Sequence, residues 1–179
     1  MFQQIFLDMD GVIADFDAGV RKRYNDFDWH PTEWAIPYAD MGTNFKDFWR
    51  DLDHPGFWRE LPWTHDGKRI QALVEPMRPI ILTAAVMPYA GTGKIQWLKR
   101  EYPDVVKDKR FLIAGGHSGK AAVAGPGKIL IDDKDENIDE WEAAGGIGIL
   151  YPRPWNRFSH SKNPLEYLCS SLMTALDTR

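Results

Sequence analysis

The 179-residue chain has one cysteine, Cys169, so no disulfide can form within it, which suits a reducing compartment. It also lacks a basic surplus. With 22 Lys and Arg against 26 Asp and Glu, the formal charge is -4, which argues against a protein that works mainly by gripping nucleic-acid backbone. No apolar run approaches the ~18 residues of a membrane helix. The opening MFQQIFLDMDGV has neither the basic start nor the long apolar stretch of a secretory signal. Repeats and low-complexity tracts are absent. At 44% hydrophobic residues the chain is too apolar for a disordered one, and its length is ample for a real core. The expectation is one soluble, cytoplasmic domain spanning residues 1–179, with no membrane and no nucleic-acid polymer among its partners.

What is present is a series of short apolar runs at residues 3–7, 79–82, 110–113, 128–131 and 147–150, each of strand length and rich in Ile, Leu or Phe. Helical spacings lie between them: Phe16, Val20 and Tyr24, then Ile95, Leu98 and Tyr102. A final stripe of Leu165, Leu168, Leu172 and Leu176 is opened by Asn163 as N-cap and Pro164 in the first turn. Strands alternating with helices predict an α/β fold, a Rossmann-like parallel sheet with helices on both faces. The stretch from Tyr24 to Trp63 breaks the alternation. It holds Trp29, Trp34, Trp49, Trp58 and Trp63, five of the eight tryptophans, and prolines at 31, 37, 55 and 62 cut it into short pieces. A small helical cap over about residues 24–65, inserted after the first strand and helix, is the expectation. Its rings form either a compact mini-core or a lid that stacks on a planar ligand.

Four predicted strands run into chemistry. Asp8-Met9-Asp10-Gly11 follows the first. Residues two apart on a strand point the same way, so Asp8 and Asp10 project together from the edge where open α/β sheets bind ligands. Paired carboxylates repel unless a cation or a proton intervenes, and Gly11 permits a sharp turn. Asp132-Asp133 closes the fourth run and adds oxygen donors of the kind Mg²⁺ prefers, ahead of a helix over 136–144. Neighbours on a strand face opposite ways, so one of these two is the direct ligand. Thr83 follows the second run with a hydroxyl and backbone amides that suit phosphate oxygens. Lys120 follows the third, where a cation balances the acids and draws in phosphate. The glycines around Lys120 do not make a P-loop, because residues 114 and 121 are both Ala. Gly91-Thr92-Gly93-Lys94 fails as well, with Pro at 88 and Ile at 95.

In their order and strand context, Asp8-x-Asp10-Gly, Thr83, Lys120 and Asp132-Asp133 resemble the four motifs of the haloacid dehalogenase-like phosphohydrolases. DMDGVIADFDAG, PGFWRELPW and ILIDDKDENI further resemble the 5′(3′)-deoxyribonucleotidases, from residue 2 to about 150; the last strand and the C-terminal helix add little. The chain departs from that pattern where Thr83-Ala84-Ala85 replaces Thr-Ser-Pro, which removes a Ser hydroxyl. The loop carrying Lys120 is also longer than the family's, so Lys94 and Lys99 stand as lesser candidates for the lysine.

The resemblance implies a Mg²⁺-dependent phosphomonoesterase acting on deoxyribonucleoside monophosphates, and it admits a homodimer. It implies Asp8 as nucleophile, Asp10 as acid and base, and Thr83 with Lys120 as phosphate ligands. The metal would be held by Asp8, the main-chain carbonyl of Asp10 and Asp133, with Asp132 behind them. Phe16, Phe57 and Trp58 fall at positions that line that family's nucleoside pocket. The alternatives are a related phosphatase for a sugar phosphate or other small phosphomonoester, and a non-catalytic phosphate-binding module such as a receiver domain. Against the receiver stand the early DxDG and the late Asp pair.

Overall fold

The computed structural model describes residues 3–33, 35–85, 87–115 and 119–177. Five strands, β1 (Gln4–Leu7), β2 (Ile80–Ala84), β3 (Phe111–Ala114), β4 (Lys128–Asp132) and β5 (Ile147–Leu150), make one parallel sheet in the order β3-β2-β1-β4-β5. The chain builds outward from β1 to one side and then returns to build β4 and β5 on the other. The crevice between the C-terminal ends of β1 and β4 is therefore the topological switch point, where such sheets bind ligands.

The two-residue period of the strands sorts the core into two layers. Ile5, Leu7, Ile81, Ile129, Ile131 and Ile149 face one cluster. In it they meet Ile70 and Val74 of α4 (Gly67–Val74), Trp97 and Leu98 of α5 (Ala90–Glu101), and Leu168 and Leu172 of α8 (Pro164–Asp177). Phe6, Leu82, Leu130 and Leu150 face the other, against Ile138 and Trp141 of α7 (Asp135–Ala143). Trp141 meets Phe6 edge-on at 5.2 Å between ring centroids. A fifth helix, α6 (Pro103–Lys107), joins α5 to β3.

Three details differ from the sequence expectation. Strand β2 runs on to Ala84, so Thr83 lies within the strand. Leu112 of β3 is 41% exposed because β3 is an edge strand. On α8 the buried stripe ends at Ala175 while Leu176 is 39% exposed, since repeated four-residue steps overshoot a 3.6-residue turn.

Between β1 and α4 lie α1 (Phe16–Arg23), α2 (Phe45–Leu52) and α3 (Pro55–Arg59). The Asp15 carboxylate accepts the Ala18 amide at 2.8 Å and starts α1. Asn44 caps α2 in the same way, accepting the Asp47 amide at 3.1 Å. Helix α3 is pressed directly onto α5. A Cβ at Gly93 would stand 2.5 Å from the Pro55 carbonyl oxygen and 2.6 Å from Trp58 Cβ. Indole donors fasten the same stretch: Trp97 Nε1 to the Leu61 carbonyl at 2.8 Å, and Trp63 Nε1 to Glu101 at 2.7 Å. Trp34 lies outside the described residues. No helix among the described residues is long and apolar enough to cross a membrane.

Candidate active site

β1 ends at Leu7, but the Asp8 amide continues the ladder to the Ile131 carbonyl at 2.9 Å, which fixes Asp8 beside the end of β4. Asp8, Asp132 and Asp133 are all buried, and each offers a carboxylate oxygen within 4.8 Å of the others. Lys120 Nζ lies 2.7 Å from Asp8 Oδ1 and 2.6 Å from Asp132 Oδ2. Asp132 is engaged further: its Oδ1 accepts the Lys134 amide and Asn137 Nδ2, each at 3.0 Å. Its two oxygens are thus spoken for by protein donors. Asp133 receives Trp155 Nε1 on Oδ2 at 2.9 Å, and its carbonyl accepts Asn156 Nδ2 at 2.8 Å.

Gly11 explains how the acids come so close. It has φ +74°, and a Cβ there would lie 2.1 Å from Asp133 Oδ2. Any side chain would strain the turn and drive Asp133 away.

A second lysine completes the pocket. Lys94, on α5 and only 2% exposed, donates through Nζ to Asp10 Oδ2, to the Ala84 carbonyl and to Thr83 Oγ1, the last at 3.0 Å. Asp8 and Asp10 both reach this pocket, yet they engage different lysines: Asp8 on Lys120, Asp10 on Lys94. The carboxylate of Asp10 is not one of the clustered three. Among the described residues, its buried Oδ1 has no hydrogen-bond partner. Sequence reasoning placed Lys94 behind Lys120; the fold brings both in. Residues 116–118, part of the glycine-containing loop before Lys120, lie outside the described residues.

Charge dictates the proton affinities. Burial, aided by Asp132 and Asp10 and opposed by Lys120, pushes Asp8 up to about 7. Burial likewise raises Asp133 well above the usual carboxylate range, with Asp132 and Asp8 adding to it. Burial works against a charge on Lys120, but Asp132 and Asp8 outweigh it and hold its proton more firmly than usual. Lys94 donates to Asp10 outside this cluster. The other three carboxylates face a single ammonium and leave about two negative charges in a buried, all-oxygen cluster. A divalent hard cation fits that donor set; without one, protons relieve the repulsion.

The predicted base-binding rings are packed on one another. Phe16 stacks with both Trp58, at 5.7 Å and 24°, and Trp49, at 6.1 Å and 18°. Phe57 stands edge-on to both Phe16 and Trp58. Trp58 Nε1 donates to the Leu52 carbonyl at 2.8 Å, and Lys94 Nζ lies 4.8 Å from the Trp58 ring centre. The cluster is a mini-core that abuts the lysine of the pocket. A groove of about 1020 Å³ runs past Phe57 on its other side, between α1 and the α2–α3 segment, and none of the clustered acids lines it.

Sequence reasoning missed the loop after β5. Tyr151, Arg153, Trp155 and Asn156 all turn back toward the pocket. Arg153 donates through Nε to the Gly11 carbonyl at 2.6 Å and through a terminal nitrogen to the Val12 carbonyl at 3.0 Å. It also pairs at 2.8 Å with the buried Asp66, which accepts from the Tyr151 and Thr64 hydroxyls as well. The available signal was YPRPWN, a cluster of donors directly after a buried strand on the ligand-binding edge.

The family described as "5′ nucleotidase, deoxy (Pyrimidine), cytosolic type C protein" matches residues 2–166 of the chain. No curated protein matches it. Among solved structures, a HAD-superfamily hydrolase from Ehrlichia chaffeensis is similar at a TM-score of 0.50 and 10% identity, over 96% of this chain and 99% of that one. CbbY from Rhodobacter sphaeroides, in complex with phosphate, is similar at a TM-score of 0.56 and 13% identity, over 90% and 92%. At such identities the likeness is one of fold.

Proposed function

The chain belongs to the 5′ nucleotidase, deoxy (pyrimidine), cytosolic type C family, a family of phosphate-ester hydrolases, and we propose that it removes phosphate from deoxyribonucleoside monophosphates. The observation that carries the mechanism is the partition of acids between two lysines: Asp8 in the three-carboxylate cluster on Lys120, Asp10 outside it on Lys94.

Asp8 attacks phosphorus, and the bond from phosphorus to the sugar oxygen breaks. Asp10 passes its proton to that departing oxygen. Water then attacks the aspartyl-phosphate and yields a proton to Asp10, and inorganic phosphate leaves with Asp8 restored. The unpartnered, buried Oδ1 of Asp10 supports this role, because an oxygen without a donor in the resting protein is open to a proton or a substrate atom. Thr83, Lys94 and Lys120 line the space where phosphoryl oxygens would sit, and such transfer is chiefly a matter of position and charge.

Mg²⁺ would be held by Asp8, Asp133 and the main-chain carbonyl of Asp10, with Asp132 braced behind by Lys120 and Asn137. Bound there, it neutralises the excess negative charge and keeps Asp8 ionised at neutral pH. Phe16, Phe57 and Trp58, packed on one another beside Lys94, would back the side of the pocket that a base meets.

The test is phosphate release from a panel of deoxy- and ribonucleoside monophosphates and sugar phosphates, with Mg²⁺ and with EDTA. Release from the deoxyribonucleotides that EDTA stops is expected. Release confined to sugar phosphates would overturn the nucleotide reading, and release unaffected by EDTA would overturn the metal.

A further inference from the structure

We propose that the loop following β5 is the positioning element of the cation site, and that the indole N–H of Trp155 selects which oxygen of Asp133 is left to the metal. This rests on the reading of Asp133 as a Mg²⁺ ligand given above.

A carboxylate at the end of a strand can rotate and offer either oxygen, or tilt both away. Trp155 removes that freedom. Its Nε1 can only donate, and it holds Asp133 Oδ2 at 2.9 Å. Asn156 secures the main chain of the same residue by donating to its carbonyl at 2.8 Å. Asn156 is itself buried, and its Nδ2 also donates to the Tyr151 carbonyl at 2.8 Å, while its Oδ1 accepts the Phe158 amide at 3.1 Å. The loop is thus closed on itself before it reaches Asp133, and its donors are held in place.

The same loop governs the other ligand-bearing segment. Arg153 grips the Gly11 and Val12 carbonyls, in the turn immediately beyond Asp10. Asp66 holds the guanidinium from behind, at 2.8 and 3.2 Å. Three residues within a span of four therefore brace both sides of the crevice. Partners of this kind orient metal ligands, and their loss costs about 10–100-fold in metal affinity.

Calorimetric titration of the unliganded protein with Mg²⁺ tests this. Trp155→Phe keeps a ring and removes the donor, so Mg²⁺ affinity should fall by about 10–100-fold, with the thermal midpoint of the metal-free protein close to that of the parent. Should Trp155→Phe not fold, benzothienylalanine at position 155 carries the same test, because sulfur replaces the N–H in a ring of nearly equal shape. Mg²⁺ affinity of the folded variant within about twofold of the parent overturns the proposal and leaves the metal site standing. A parent protein that takes up no Mg²⁺ overturns the metal reading, and this proposal with it.

Discussion

Asp8 and Asp10 stand two residues apart in sequence, but their surroundings differ. Asp8 shares Lys120 with Asp132, whereas Asp10 has Lys94 and one buried oxygen with no partner. Asp8→Asn should abolish phosphate release while the circular dichroism spectrum stays that of the parent; retained turnover would exclude a covalent role. Asp10→Asn should leave Mg²⁺ affinity nearly unchanged, since its carboxylate lies outside the cluster, and should slow both formation and hydrolysis of the aspartyl-phosphate in single-turnover measurements. Most of this site was legible in the sequence, because acids and a threonine at the ends of apolar runs must gather at one edge of a parallel sheet. Lys94 was less legible. It sits in the first turns of α5 and reaches Thr83 only because that helix folds back over the end of β2. Trp155 was less legible still: YPRPWN marks donors just beyond a buried strand, but nothing in it says that a side chain 22 residues beyond Asp133 returns to that residue.

At the scale of elements, the α3–α5 contact sets two effects against each other at Gly93. Alanine is the better helix former by roughly 0.8–1 kcal/mol. Here, however, its methyl would meet the Pro55 carbonyl oxygen and Trp58 Cβ well inside contact distance. Overpacking of this kind costs about 1–3 kcal/mol, so Gly93→Ala should destabilise the protein in urea unfolding despite its favourable propensity. The same periodic reasoning that located the strands and helices fell short where tertiary context decided. Thr83 joined β2 because its neighbour strand continues to Ala114 and pairs with it. Ala175 replaced Leu176 because helical geometry, not residue size, chose the face turned to the sheet. The insertion was visible as a break in alternation, but its fastening to α5 depends on Gly93, Trp97 and Glu101, far along the chain.

For the molecule as a whole, the buried acids couple folding to pH and to metal. Asp8 binds its proton up to about pH 7 in the folded, metal-free protein, whereas an unfolded Asp releases it near 4. The folded state therefore holds more protons than the unfolded state between about pH 4 and 7, so metal-free stability should fall as pH rises through that window and level off above it. Asp17, buried near Asp15 and also raised to about 7, contributes in the same direction. Mg²⁺ should reverse the trend at neutral pH: binding expels protons, so affinity should rise with pH up to about 7 and the titration should release protons. Urea unfolding from pH 5 to 8, in EDTA and in Mg²⁺, checks both halves. A metal-free stability that increases across this range would contradict the assignment.

The seam between α3 and α5 also ties the two ring contacts of Phe16 to different parts of the molecule. Trp58 is anchored to α5 through the close approach at Gly93, whereas Trp49 belongs to the preceding helix. A substitution that loosened α2 alone would therefore cost Phe16 its contact with Trp49 and leave its contact with Trp58 in place.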